Sequence, residues 1–328
     1  MIRKAVYSFY SYPFRSRPGY AGFSTLEDFL NCWTLSVHLA RHHFDAVELV
    51  TDNYGKALLV DALGLPFTHI RNELDAAVPD HLKDIYWTFG KLWAYALQDE
   101  PFIHVDYDVF LWQKPPARLL QAPMFGQNTE SRIWHIDIYR QGYTAMCAYL
   151  RHKPIYWYVT YPYIHKYDVA INVGIVGGND IDFLKRYAST AIDIMLSKQN
   201  EDGFGIIKRI DKLANGKVVH GCNVIIEQYL YASMCLSEQR WGEIEFLLDE
   251  AEAFPEHDPH IAVNRVCREV GYTHLITLGP KQNQQTMRRL RKRIEAEYPG
   301  FYARIQALIR DVQDWQHVGA PVQPVAVF

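Results

Sequence analysis

The chain has 328 residues, enough to bury a large core in one α/β domain or in a domain with an appended helical part. It is 49% hydrophobic and 22% charged, which places it among ordered globular proteins, and its net charge of -3 lacks the basic excess of a phosphate-tracking nucleic-acid surface. No run approaches the ~18 apolar residues needed to span a bilayer. Five scattered cysteines without a C-x-x-C pair (Cys32, Cys147, Cys222, Cys235, Cys267) give no sign of a disulfide framework or a structural zinc.

In chain order, strand and helix patterns alternate over the first half, which argues a βαβ build. Residues 5–10 read as a first strand and not as part of a signal peptide, so the expected compartment is the cytoplasm. After a loop rich in turn residues, Ser24-Thr25-Leu26-Glu27 sets an N-cap and an acid in the order that opens a helix. Leu26, Phe29, Leu30, Trp33 and Val37 then recur at helical spacing. Val47-Glu48-Leu49-Val50-Thr51 reads as a second strand ending at Asp52, residues 55–63 as a short helix closed by Gly64, and residues 67–70 as a third strand. A helix over 87–97 carries Lys91 and leads into the apolar run Pro101-Phe102-Ile103-His104-Val105, which stops at Asp106-Tyr107-Asp108.

Pro115-Pro116 breaks the pattern, and the aromatic segment 154–167, with its two prolines, is too interrupted for a central strand. Its tyrosines suit either the apolar face of a sugar or a tyrosine-rich core. Residues 169–178 read as a buried strand pair or one bent strand, with Asn172 embedded and glycines that permit close backbone approach. Helices are expected over 183–198 and within 218–236, the second carrying Glu227-Gln228, and a last short strand over 274–277 precedes Gly279-Pro280-Lys281. Residues 288–309 read as a basic amphipathic helix and 319–328 as a loosely ordered tail.

The acid pair is the most informative of these features. A buried strand that stops where two acids would have to enter the core places them at the carboxyl edge of the sheet, where α/β proteins bind ligands. Mg²⁺ and Mn²⁺ prefer oxygen ligands and bridge carboxylates to substrate phosphates. The alternative is a solvated turn, but the chain resumes at once with Val109-Phe110-Leu111-Trp112, which an ordinary solvated turn does not usually do.

Together these pieces resemble the GT-A fold of nucleotide-sugar-dependent glycosyltransferases, in particular the group that includes glycogenin and the bacterial lipopolysaccharide galactosyltransferases. The resemblance lies in motif order over residues 1–285. The run from Phe102 to Phe110 resembles the strand-then-D-x-D element, and Ile171-Asn172-Val173-Gly174-Ile175-Val176 is similar to an F-N-S-G-V element, keeping its Asn and Gly. Glu227-Gln228 resembles an Asp-Gln pair with an acid one methylene longer. His274, Gly279 and Lys281 resemble an H-x-x-G-x-x-K element, spaced here as H-x(4)-G-x-K.

The resemblance implies an α/β, Rossmann-like GT-A fold: a mixed, mainly parallel sheet flanked by helices, with a C-terminal helical extension. It implies a catalytic domain over 1–285, a basic helix over 286–312 packed on it, and a loose tail over 313–328. The metal, Mn²⁺ or Mg²⁺, would be held by Asp106, Asp108 and His274, a mixed O/N set that suits Mn²⁺ somewhat better. Donor contacts would come from Ser8, Asp52, Lys91, Asp106, Gly174 and Lys281, and Glu227, Gln228 and Asn172 would surround the reacting sugar. The partners would be a nucleotide sugar, a UDP-sugar first, and a carbohydrate or other hydroxyl-bearing acceptor, with no nucleic acid.

Each residue also has a plainer reading. His274 suits a hydrogen-bonded core histidine, Asn172 a buried amide, Glu227 a helix-surface acid, Lys91 a snorkelling lysine and Asp52 a helix cap. The basic run 288–293 suits a solvated helical face, with an anionic acceptor or peripheral membrane contact as its alternative. Three other functions stay open. Asp106 would be the nucleophile in a haloacid-dehalogenase-type phosphatase, or the fold would bind carbohydrate without catalysis. A sugar nucleotidyltransferase would carry a glycine-rich loop after strand one, where residues 11–20 hold only Gly19. Retention and inversion are both open, since Glu227 also suits a general base.

Overall fold

A computed structural model describes residues 2–16, 20–83, 86–131, 137–160, 169–213, 216–253, 267–276 and 278–317. The expected tail over 319–328, residues 161–168 of the aromatic segment and Thr277 lie outside the described residues.

Nine strands are described: β1 (Lys4–Phe9), β2 (Ala46–Thr51), β3 (His69–Asn72), β4 (Phe102–Val105), β5 (Val109–Leu111), β6 (Met124–Ser131), β7 (Val169–Gly178), β8 (Ile244–Phe246) and β9 (Tyr272–His274). Seven form one sheet in the order β3-β2-β1-β4-β7-β6-β8, and β5 pairs with β9 in a small second sheet. Neighbours are parallel except at β7, which runs antiparallel to both β4 and β6. This is the mixed, mainly parallel sheet flanked by helices that the sequence led us to expect.

The central strands read as continuous apolar runs because both sheet faces are covered. Val6, Val50, Phe102 and Met124 belong to one core cluster, while Ala5, Tyr7, Leu49, Ile103 and Phe125 belong to another. Phe102 and Ile103 are fully buried on these two sides, and each such side chain stabilises the fold by about 1.5–3 kcal/mol. The chain leaves β1 for β2 and β3 on one side, then crosses to β4 on the other. The carboxyl ends of β1 and β4 therefore flank a topological switch point, the usual ligand crevice of an open α/β sheet.

The helix Leu26–His43 starts where its capping residues predict: Asp28 N–H donates to Thr25 Oγ1 (3.1 Å), and the Thr25 hydroxyl donates to the Asp28 carboxylate (2.8 Å). β3 lies two residues later than its apolar residues suggest. Residues 169–178 form one strand, and the helical run over 218–236 contains a π-helical turn, Ile225–Tyr229, between Lys217–Val224 and Leu230–Ser237. The expected single basic helix is two helices, Gln284–Glu297 and Pro299–His317. Pro299 lacks the N–H that would continue the first, and it suits the opening turn of the second.

Both C-terminal helices pack on Leu26–His43. Leu290, Ile294 and Ile305 are buried there, Arg291 binds Asp28 (3.2 Å) and Gln306 donates to Glu27 (2.7 Å). The basic face is thus partly absorbed into ion pairs. Among the described residues no helix is long and apolar enough to cross a membrane.

Candidate functional site

β4 ends in a tight turn. The Val109 N–H donates to the Asp106 carbonyl (2.9 Å), and the Asp106 N–H donates to the Gly174 carbonyl of β7 (2.9 Å). Tyr107 anchors the turn in the core, its ring stacked on Trp33 at 5.0 Å and packed edge-on against Phe29. Beyond the turn, β5 pairs with β9, and the Leu275 N–H donates to the Asp108 carbonyl (2.9 Å). That pairing brings His274 to the acids: its Nε2 lies 3.5 Å from Asp108 Oδ1. One ligand atom each from Asp106, Asp108 and His274 fall within 4.8 Å of one another.

This donor set fits a divalent cation. His274 Nδ1 lies 2.7 Å from Gln127 Oε1. An amide oxygen only accepts, so Nδ1 is the proton-bearing nitrogen of this contact, and Nε2 is the nitrogen turned toward the acids for ligation. Lys281 lies against the same acid, with Nζ 2.6 Å from Asp108 Oδ2, and packs over the Phe23 and Tyr107 rings. Burial pushes the Asp108 carboxyl up, but the Lys281 ammonium, with His274 beside it, outweighs burial and holds it well below the usual carboxylate range.

Lys91, on the helix Thr88–Ala96, joins Asp106 to Glu227. Its Nζ lies 2.9 Å from Asp106 Oδ1 and 2.7 Å from Glu227 Oε1. Burial alone would lower the Lys91 ammonium, but the two carboxylates hold it above its ordinary range. Burial raises Glu227, partly offset by Lys91, and raises Asp106, where Lys91 opposes the shift and Asp108 adds to it. Ser8 Oγ lies 3.0 Å from His104 Nε2, and His104 Nδ1 lies 3.7 Å from Asp106 Oδ1. Burial, with Lys91 nearby, pushes His104 well below its usual range and keeps it neutral. Ser8 is therefore bonded to His104, whose buried Nδ1 makes no hydrogen bond of its own among the described residues.

The π-helical turn supplies Glu227 and Gln228; such turns within α-helices are frequent at functional sites. The Tyr139 hydroxyl lies between Gln228 Oε1 and Glu130 Oε2, 2.5 Å from the latter. Asn172 Nδ2 donates to Glu130 Oε1 (2.7 Å), while its Oδ1 accepts the Gly174 N–H (3.0 Å). Asn172 and Gln228 thus meet through two residues that motif matching missed. The available signal was Gln127-Asn128-Thr129-Glu130, a polar run inside β6 of which Gln127, Asn128 and Glu130 are buried.

The structure brings Asp106, Asp108, His274, Lys281, Lys91, Glu227 and Gly174 together. Asp52 stands apart as a buried helix cap: Oδ1 accepts the Gly55 N–H (2.7 Å), and Oδ2 accepts the Ser11 N–H (2.8 Å) and hydroxyl (2.7 Å). Both its oxygens are engaged by the protein's own donors, as the plainer reading of a strand-end Asp has it. Burial still raises its carboxyl against those hydrogen bonds.

No curated protein matches the chain. Among solved structures it is similar to apo xyloside xylosyltransferase 1 from mouse, at 10% identity and a TM-score of 0.37, over 80% of this chain and 93% of that one. It is also similar to the inositol-1-phosphate CTP transferase from T. maritima, at 12% identity and a TM-score of 0.30, over 64% and 82%. Likenesses of this depth say nothing of activity, so the chemistry rests on the side chains themselves. A family model described as a family of unknown function, DUF6734, matches residues 4–308, and the chain belongs to that family.

Proposed function

We propose that the protein transfers a sugar from a nucleoside-diphosphate donor, a UDP-sugar first, to a hydroxyl-bearing acceptor in a divalent-metal-dependent reaction. The observation that carries this reading is the convergence of Asp106, Asp108 and His274 within 4.8 Å at the carboxyl end of β4, beside two partly buried ammonium groups. Asp108 and His274 Nε2 would hold the ion, with Asp106 as its third partner and a contact for the ribose. Bound there, Mn²⁺ or Mg²⁺ would neutralise charge on the departing diphosphate. Lys281 adds a fixed positive charge at the same edge, where a pre-oriented cation stabilises a leaving anion.

Lys91 keeps Asp106 and Glu227 at fixed positions, so the edge that faces the donor phosphates and the acid beside the reacting sugar are set by one side chain. Gln228 and Asn172 join the same wall through Tyr139 and Glu130. Five free thiols fit a reducing compartment such as the cytoplasm. Isothermal titration with UDP, with and without Mn²⁺, tests the reading. Binding that depends on the metal is the expected result. Failure to bind UDP, GDP or any other nucleoside diphosphate, with or without metal, overturns it.

A further inference from the structure

The pairing of β6 with β7 is interrupted beside the acid pair. Gly126 faces Val176 and Asn128 faces Asn172, so Gln127 alone stands opposite Val173, Gly174 and Ile175. On the other edge of β7 the register with β4 is unbroken, Phe102 facing Gly178 and Val105 facing Ile175, and the Asp106 N–H extends it onto Gly174. The irregularity thus lies on β7, at the residue whose carbonyl accepts the Asp106 N–H, and bulges of this kind re-aim side chains next to active sites. Gln127 is buried there, 4% exposed.

Its amide closes a chain of hydrogen bonds with one possible polarity. Asn128 Nδ2 donates to the Thr129 carbonyl (2.7 Å), which only accepts. That leaves Asn128 Oδ1 to accept from Gln127 Nε2 (3.0 Å). Gln127 Oε1 then accepts from the Tyr272 hydroxyl (2.5 Å) and from His274 Nδ1 (2.7 Å). Gly174 makes room for this meeting: a Cβ there would lie 2.4 Å from Gln127 Oε1 and 2.5 Å from His274 Nδ1. A backbone carbonyl of β6 thereby dictates, through two amides, which imidazole nitrogen carries the proton.

We propose that Gln127 is a positioning residue that fixes neutral His274 as its Nδ1–H tautomer and presents the Nε2 lone pair to the cation site with Asp106 and Asp108. The cation part of this rests on the metal-dependent reading above; the tautomer does not. The test is ¹⁵N NMR of histidine-labelled, metal-free protein, read at a pH where the His274 ¹⁵N shifts are those of a ring with one proton, paired with Mn²⁺ titration.

Wild type is expected to show Nδ1–H at His274. Gln127→Met, similar in shape but without an acceptor, is expected to populate Nε2–H and to weaken Mn²⁺ binding by ~10- to 100-fold, the usual cost of losing a partner behind a metal ligand. Gln127→Glu, which restores an acceptor, and Tyr272→Phe, which removes only the competing donor, are expected to keep Nδ1–H. An Nε2–H wild type, or a Gln127→Met protein with an unchanged tautomer, overturns the proposal. Should Gln127→Met not fold, the wild-type and Tyr272→Phe spectra still decide it, because loss of Nδ1–H in either refutes it. Nδ1–H in wild type with no Mn²⁺ uptake would sink the metal-dependent reading and leave the role of Gln127 standing.

Discussion

Replacing Lys91 by Met isolates the contribution of the buried ammonium. Lys91 Nζ sits 2.9 Å from Asp106 Oδ1 and 2.7 Å from Glu227 Oε1, so its removal leaves two carboxylate oxygens no farther apart than those two distances together, repelling by about 3 kcal/mol or more at an effective dielectric of about 20. Breaking a buried pair by removing one partner costs about 3–5 kcal/mol in all, and we expect Lys91→Met to lose that much stability at pH 8. The loss should depend on pH with a definite sign. Burial already raises Asp106 and Glu227 in the wild type, and without the ammonium both rise further. A carboxyl raised in the folded state binds its proton more tightly there than in the unfolded chain. Its contribution is therefore fully present below the unfolded pKa and is lost as pH rises through the folded one. Urea denaturation at pH 5 and pH 8, with a chelator so that no divalent ion replaces the lysine, should show a smaller deficit at pH 5. A deficit under about 1 kcal/mol at both pH values would refute the interdependence of these three side chains.

Asp108→Asn keeps the shape of the acid and removes its charge; Mn²⁺ affinity should fall by more than the ~100-fold typical of a change behind the ligands, and an unchanged calorimetric titration would remove Asp108 from the site. Because Asp108 is buried and paired with Lys281, this variant should also lose stability, measurable by urea denaturation. Gly174→Ala forces a Cβ against Gln127 and His274 and should cost about 1–3 kcal/mol by overpacking, together with weaker Mn²⁺ binding; intact affinity at lowered thermal stability would separate the glycine from the metal. Asp52→Ala should lose at least the 1–2 kcal/mol of a helix cap, about the upper range for such caps, with UDP affinity unchanged. Impaired UDP binding at native stability would place Asp52 in the donor site.

Local chemistry was legible wherever neighbours in sequence are neighbours in space. The apolar runs of β1, β2 and β4, the Thr25 cap and the halt of β4 at Asp106 all follow from periodicities of a few residues. Pro299 shows what a smooth amphipathic pattern conceals, since side-chain spacing continues through a residue whose backbone cannot. Asp52 shows the ambiguity of a strand-end acid: its hydrogen bonds from Ser11 and Gly55 make it a cap, and nothing in its local sequence could have told that from a ligand contact.

By itself the sequence determined the α/β build, the strand that ends in two acids and the residue types a divalent cation would need. Only the tertiary structure decided that β5 pairs with β9 to set His274 beside Asp108, that Lys91 bridges Asp106 to Glu227, and that Gln127 stands opposite the irregular stretch of β7. The reason is physical: hydrophobic period and capping act over one or two turns of chain, whereas strand register, and with it which polar atoms meet across the sheet, is set by contacts between segments far apart in sequence.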